Sequence, residues 1–270
     1  MAKGVNDLML EQQARSTQIQ GSWTESLAMC DDNMKWKACL QGLSEPTFSF
    51  ITRAIGESLP TNSNLFRWGK TSAANCLACG NSSQSLLHIL NHCEKKLSMY
   101  TWRHDNVLYK LKEFLVARLP DVDVFVDIVT DGSRLFLDQK VNTIPVDILP
   151  TSFRPDITVI DRVSRTIDII ELTVPFEHNF VAAQERKSTK YGPLIAGLEE
   201  LNFKCTFNSL EIGARGIVNN GAFKILKNVS KASRKDVKIL LKEISQCVMK
   251  CGQVIFKEKD NPSAQYTSLI

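Results

Sequence analysis

Two carboxylates joined by a short hairpin offer the clearest chemistry in this chain. Asp156–Asp161 and Thr166–Val174 are short runs rich in Ile, Val and Thr, separated by the polar Arg162-Val163-Ser164-Arg165. Runs of that composition and length read as strands, and the polar break reads as a hairpin turn. An even-numbered turn sets Asp161 opposite Thr166 and Asp156 opposite Glu171. Opposed side chains share one face of a sheet, with Cβ atoms roughly 5 Å apart. Two carboxylates so placed repel each other. A hard cation between them reverses that sign, and oxygen-only donors suit Mg²⁺ or Mn²⁺. Asp156 and Glu171 therefore read as a metal pair, and neutralising either is expected to leave metal-free protein at least as stable. The plainer reading is two acids ending edge strands in water. Pro155, just before the first acid, fits a strand start, where a missing N–H costs little. In the next segment, Phe180–Lys190, Lys187, Lys190 and Tyr191 stand at i, i+3 and i+4, on one helical face. A lysine there can stabilise charge developing on a phosphorane or hold a water. Asp147, in a Pro-flanked loop, is a candidate third carboxylate. Asp168, three residues from Glu171, points to the other face of the strand.

A second constellation has softer ligands: Cys76-x₂-Cys79-x₈-His88-x₄-Cys93. Three thiolates and one imidazole make a closed tetrahedral site of the kind Zn²⁺ prefers. Gly80 allows the tight turn that brings two sulfurs to one ion, and a short helix over Ser85–Cys93 supplies the other two ligands. By spacing alone His92 competes with His88. The plainer reading is a set of unrelated buried thiols and a core histidine. Cys30, Cys39, Cys205, Cys247 and Cys251 lack such partners and read as core or surface thiols. With all four positions filled by protein, the zinc is structural.

Pro155-Asp156…Glu171-Leu172-Thr173 resembles the PD-(D/E)xK nuclease signature, with Thr173 where that family usually has lysine. Lys187-x-x-Lys190-Tyr191 resembles the variant in which the lysine has moved to the next helix. That variant is typical of the restriction-like endonuclease at the C-terminus of site-specific non-LTR retrotransposon polyproteins. The resemblance covers about residues 45–255. His88 matches the family's zinc knuckle. Arg103-His104-Asp105 resembles a motif just after that knuckle, and Leu59–Lys70 resembles the linker that follows the polymerase. The resemblance implies a Mg²⁺- or Mn²⁺-dependent DNA endonuclease that nicks target DNA so that the free 3′-OH primes reverse transcription. Asp156 and Glu171 would hold the metal, Lys187 or Lys190 would stabilise charge, and Tyr191 would orient a lysine or contact DNA. It further implies a nuclear site of action, DNA as partner, and element RNA as a second nucleic acid. No Tyr-x-Asp-Asp motif is present, so polymerase activity is not expected.

The elements that must position these groups follow from periodicity. Residues 1–70 are read as an N-terminal helical segment and linker, with a weakly ordered polar start. Helices are expected over Ser22–Gly42 and from Pro46 to Leu59. In the linker, Trp68 stands between Arg67 and Lys70, a pattern that stacks on a base while cations meet phosphate, or that simply anchors the loop. Residues 71–98 form the knuckle and 99–255 the nuclease domain. There a helix over Tyr100–Arg118 carries Arg103 and His104 as phosphate contacts and Asp105 as an N-terminal charge. A strand over Val122–Val129 ends at Asp131-Gly132. After the hairpin the lysine helix kinks or breaks at Gly192-Pro193, and a strand over Lys204–Ile212 precedes Ile217–Val229 and a last helix over Lys231–Lys250. The fold class is α/β: a mixed β-sheet flanked by helices, restriction-endonuclease-like. Residues 256–270 read as a disordered tail, from Asp260 above all.

Composition bounds the alternatives. The chain has 270 residues and is 43% hydrophobic, enough for one sizeable core plus small modules. Its net charge of +4 excludes a polycation, so nucleic-acid contacts must be local, at Arg67, Lys70, Arg103, His104 and the basic end that includes Lys235. No signal-like or membrane-spanning run is visible, and no P-loop or dinucleotide fingerprint supports a small-molecule phosphate site. The chain is expected to be soluble and intracellular. The rival to the enzyme is a catalytically inactive nucleic-acid-binding protein derived from such an element. A third reading is an unrelated zinc protein with an α/β ligand-binding domain.

Overall fold

The computed structural model describes residues 21–128 and 143–266. The polar start of the chain and the Asp131-Gly132 turn lie outside them. Helices α1 (Gly21–Leu27), α2 (Trp36–Cys39), α3 (Glu45–Ile55) and α4 (Asn62–Arg67) come first. The single helix expected over Ser22–Gly42 is thus two short ones, and Asp31 is a cause. Its Oδ1 accepts the N–H of Asn33 (2.9 Å) and its Oδ2 that of Phe223 (3.0 Å). A side chain that bonds the backbone two residues on offers a turn in place of a helix. Pro46 sits in the first turn of α3, where it has no N–H to lose.

A Cys-rich loop, a π turn at His88–His92 and a 3₁₀ turn at Glu94–Lys96 lead into α5 (Leu97–Val116). Then come β1 (Asp123–Val126), β2 (Ile157–Asp161) and β3 (Thr166–Thr173). Next are α6 (Phe180–Glu200), β4 (Lys204–Glu211), α7 (Ala222–Ser230) and α8 (Arg234–Lys257). The fold is mixed α/β. The sheet order is β1-β2-β3-β4, antiparallel across the first two pairs and parallel between β3 and β4. A parallel neighbour needs a crossover, and α6 provides it. Of the kink or break expected at Gly192-Pro193, the break does not occur: Pro193 lies inside α6, which runs on to Glu200. Pro193 is exposed, and the carbonyl it deprives of a partner belongs to Thr189, also exposed. Tyr191, Leu194 and Leu198, on either side of that gap, are buried against the sheet.

Alternation along the strands gives the sheet two faces. Ile160, Ile167 and Ile169 meet α6 in a small core. Ile157, Val159, Ile170, Leu172 and Leu210 meet the large core, which includes Trp23, Ile51, Leu108 of α5 and Val248 of α8. The N-terminal helices therefore share a core with the sheet. Beyond α8 the chain stays packed. The buried Lys96 ammonium donates to the carbonyls of Glu258 and Asn261, Ala264 is buried, and the Tyr266 ring lies 5.2 Å from that of Trp102. The disordered tail expected over 256–270 does not hold as far as Tyr266. A buried cation requires polar partners, and this segment supplies them.

Candidate functional site

The hairpin has the expected register: Asp161 pairs with Thr166 and Ile157 with Ile170. One step further, at the end of the sheet away from the turn, Asp156 meets Glu171. The N–H of Asp156 donates to Glu171 Oε2 (3.0 Å), and the N–H of Leu172 donates to Asp156 Oδ2 (2.7 Å). Each carboxylate thus grips the other strand's backbone, and both are buried. α6 brings its face down on Glu171. Lys187 Nζ forms an ion pair with Glu171 Oε1. Tyr191 Oη lies 3.1 Å from the same oxygen and 2.9 Å from the Arg154 carbonyl, and Lys190 Nζ donates to Tyr191 Oη (2.9 Å). The i, i+3, i+4 spacing therefore converges on one acid.

α5 reaches the other acid. His104 Nε2 lies 3.3 Å from Asp156 Oδ2, and its Nδ1 lies 3.2 Å from Asp105 Oδ1. Burial alone would lower the His104 pKa, but Asp156 and Asp105 raise it to about 10. Burial opposes ionisation of Asp156, yet the His104 charge holds its carboxyl below the usual range. Glu171 is pushed up, first by burial and then by Asp156. The two acids of the pair therefore differ in kind: one is stabilised as an anion and the other resists ionisation.

His104, Asp105, Asp156 and Lys187 border a cleft of about 890 Å³, with Asp127 and Arg186 also among its walls, while Glu171 and Tyr191 lie buried behind them. Asp127 is the third carboxylate of the cleft. It directly follows β1, whose Val126 pairs with Ile157, so it comes alongside Asp156, and its N–H donates to the Asp156 carbonyl (2.9 Å). The Arg154 guanidinium forms an ion pair with it. Asp147 does not take that place. It is exposed and paired with Arg162 (2.8 Å) at the hairpin turn, the far end of the strands. Asp105 does not open a helix either, because α5 starts at Leu97 and buries it. His104 lies between two carboxylates, and Arg103 is buried with Nη2 donating to the Val174 carbonyl (3.2 Å); both border the cleft.

Arg67 and Lys70 are exposed, as are Phe66 and Trp68, with Lys70 Nζ 5.8 Å from the centre of the Trp68 ring. This corner packs on the Cys-rich loop through Ser63 and Ser83 (2.8 Å) and through Asn62 Nδ2, which donates to the Asn75 carbonyl (2.8 Å). Lys235 is exposed at the start of α8. Nearby Lys231 borders a smaller cleft with Asp161 and Ser164, at the hairpin end of the sheet.

In the Cys-rich loop the ligand atoms of Cys76, Cys79, His88 and Cys93 all lie within 4.8 Å of one another, a cluster that could bind a metal such as zinc. Gly80, at φ +76°, comes just after the second ligand and closes the turn, its N–H donating to the Cys76 carbonyl (2.7 Å), and the π turn carries His88 inward. His92 lies outside the cluster and borders the large cleft. Burial opposes ionisation of Cys79, but N–H donors such as that of Asn81 lower its pKa overall, whereas burial pushes Cys93 up to about 12. Among the described residues the other five cysteines join no such group, and no helix is long and apolar enough to cross a membrane. Compared with known proteins, the chain matches no family model, and no curated protein is similar enough to count as a match.

Proposed function

We propose that this chain is a metal-dependent DNA endonuclease with a restriction-endonuclease-like core and a structural zinc knuckle at Cys76, Cys79, His88 and Cys93. In this reading it serves a non-LTR retrotransposon in the nucleus, nicking target DNA so that the 3′-OH primes reverse transcription, with element RNA as a second partner. One observation carries the proposal: Asp156, Glu171, Lys187 and Tyr191 converge from separate elements beside an open cleft. Two acids that merely end strands would not need an ammonium and a phenol from the next helix.

The donor set fits a hard divalent cation. Asp156 Oδ2 takes two hydrogen bonds while Oδ1 accepts none from the described residues. Glu171 resists ionisation beside Asp156, a strain that an added cation relieves. Asp156 and Glu171 would hold Mg²⁺ or Mn²⁺ through oxygen. Such an ion polarises a phosphate and lowers the pKa of the attacking water. Lys187, on the cleft wall, offers positive charge to phosphate oxygens. Tyr191, with Lys190 behind it, fixes Glu171 Oε1. Exposed Arg67, Lys70 and Lys235 would follow the backbone.

A plasmid-nicking assay tests this. Supercoiled DNA should relax with Mg²⁺ or Mn²⁺, stay intact with EDTA, and stay intact with Glu171→Gln. Protein that binds DNA but nicks it with neither metal would be the inactive binding relative, and the enzyme proposal would be lost.

A further inference from the structure

The acid pair does not explain why α5 carries a buried aspartate in its interior, where short polar side chains disfavour a helix. Asp105 is 6% exposed, and its Oδ1 lies 3.2 Å from His104 Nδ1. On its other side the imidazole reaches Asp156 Oδ2, at 3.3 Å. That oxygen also accepts the Leu172 N–H, at 2.7 Å. A donor from the helix and a donor from the neighbouring strand, on one oxygen, fix both the place and the plane of the carboxylate. The other oxygen, Oδ1, is left without a donor among the described residues.

We infer that His104, anchored by Asp105, is a positioning residue that ties down Oδ2 of Asp156 and leaves Oδ1 as the oxygen offered to the metal. Carboxylate–histidine ties around metal ligands set their orientation and change metal affinity about 10- to 100-fold. The inference rests on the reading of Asp156 and Glu171 as a metal site. It also makes a prediction opposite to that of simple electrostatics. A histidine acting only by its charge would repel a cation, and removing it would tighten binding. A histidine acting by position holds the ligand, and removing it loosens binding.

The test is Mn²⁺ titration of the zinc-loaded full chain, read by electron paramagnetic resonance, beside thermal melting without Mn²⁺. His104→Ala should weaken Mn²⁺ binding about tenfold or more and leave a cooperative melt. His104→Gln, which restores an N–H at about the reach of Nε2, should recover most of the affinity. Asp105→Asn keeps the imidazole but loosens its anchor, and should fall between. Unchanged or tighter Mn²⁺ binding by folded His104→Ala overturns the inference. If that variant does not fold, Asp105→Asn decides, and wild-type affinity there overturns it equally. Wild-type protein that binds no Mn²⁺ overturns the metal reading of the acid pair itself. Wild-type binding matched by the variants overturns this inference alone.

Discussion

The Cys/His cluster and the acid pair are opposite designs. In the first, four side chains turn inward on one point, and no position is left for a substrate. In the second, side chains from α5, from Asp156 just before β2, and from β3 and α6 line one edge of a cleft and leave Asp156 Oδ1 without a donor among the described residues. A closed site can contribute only to the fold, whereas an open one keeps some of its bonding capacity for chemistry. α5 joins the two. Tyr100 in its first turn accepts the Cys93 N–H (3.0 Å) and donates to the Ile89 carbonyl (2.8 Å). One turn on, His104 reaches Asp156. Losing metal from the cluster should therefore unfold, while losing it from the acids should silence.

The largest effect expected is at the cluster. Metal analysis should find one zinc per chain, and Cys79→Ser or a strong chelator should remove it. Structural zinc contributes about 10–16 kcal/mol in small peptides, as much as the whole stability of a typical domain. Hydrogen exchange should then show residues 71–98 opening, with the start of α5 following through Tyr100. Metal-free protein that resists unfolding as well as before would break the comparison on this side.

The next effect is on chemistry without folding. Asp156→Asn and Glu171→Gln should each lower Mg²⁺-dependent nicking more than about a hundredfold. Exchange in residues 71–98 should stay at the wild-type level. Nicking at the wild-type rate by both variants would move the active site elsewhere.

The pair should then separate by stability. From the sequence the two acids look equivalent, so neutralising either was expected to relieve repulsion. The structure makes them unequal. Asp156 has a depressed pKa, so its ionised form adds stability above the ordinary carboxyl range, and that gain is lost as pH falls through the folded value. Glu171 has a raised pKa, so the contribution runs the other way and is lost as pH rises through its folded value. With EDTA at neutral pH, Asp156→Asn should lower stability by on the order of 1–3 kcal/mol. Glu171→Gln should lose less, because relief of a buried acid that resists ionisation offsets part of the lost pairing with Lys187. The gap should narrow in acid, where both wild-type acids take up protons. Equal losses in thermal melts would show that the acids are equivalent after all.

What the sequence reveals of these two regions depends on how local each contact is. The four cluster ligands lie in one loop, and the hairpin register is set by four turn residues and strict alternation. Lys187 and Tyr191 follow from helical spacing. His104 and Asp127 were harder to read, because each joins Asp156 through a packing arrangement with no short-range signal: the docking of α5 and the register of β1. Asp147 looked closer only along the chain. Arg103 shows the same limit, since burial of one face of a helix depends on what packs there.

A smaller effect concerns the exposed cations. If Arg67 and Lys70 meet DNA phosphates, charge reversal at either should weaken binding and reduce the slope of log affinity against log salt by about one. Lys235→Glu should do the same only if DNA also runs past the hairpin end of the sheet. Affinity that is flat between low and physiological salt would exclude phosphate contacts at all three.

The smallest effect expected, and the sharpest control, is at Asp168. It lies three residues before Glu171 on β3, so the strand turns it to the opposite face. There it pairs in register with Val159 and Thr206 and borders the small cleft beside Lys231. Burial raises its pKa, against the opposing effect of hydrogen bonds from Thr206 and Asn208. An amide can keep one of those hydrogen bonds and avoids burying a charge, so Asp168→Asn should fold at least as well as wild type. Substitutions remote from a functional centre usually shift free energies by no more than about 0.5 kcal/mol, and nicking should stay within a factor of about two. Because Asp168 and Glu171 share a strand, any general weakening of β3 would show in both. A difference between them therefore reports the face and not the strand. Loss of nicking in Asp168→Asn with retention in Glu171→Gln would reverse the assignment and move the chemistry to the cleft beside Lys231.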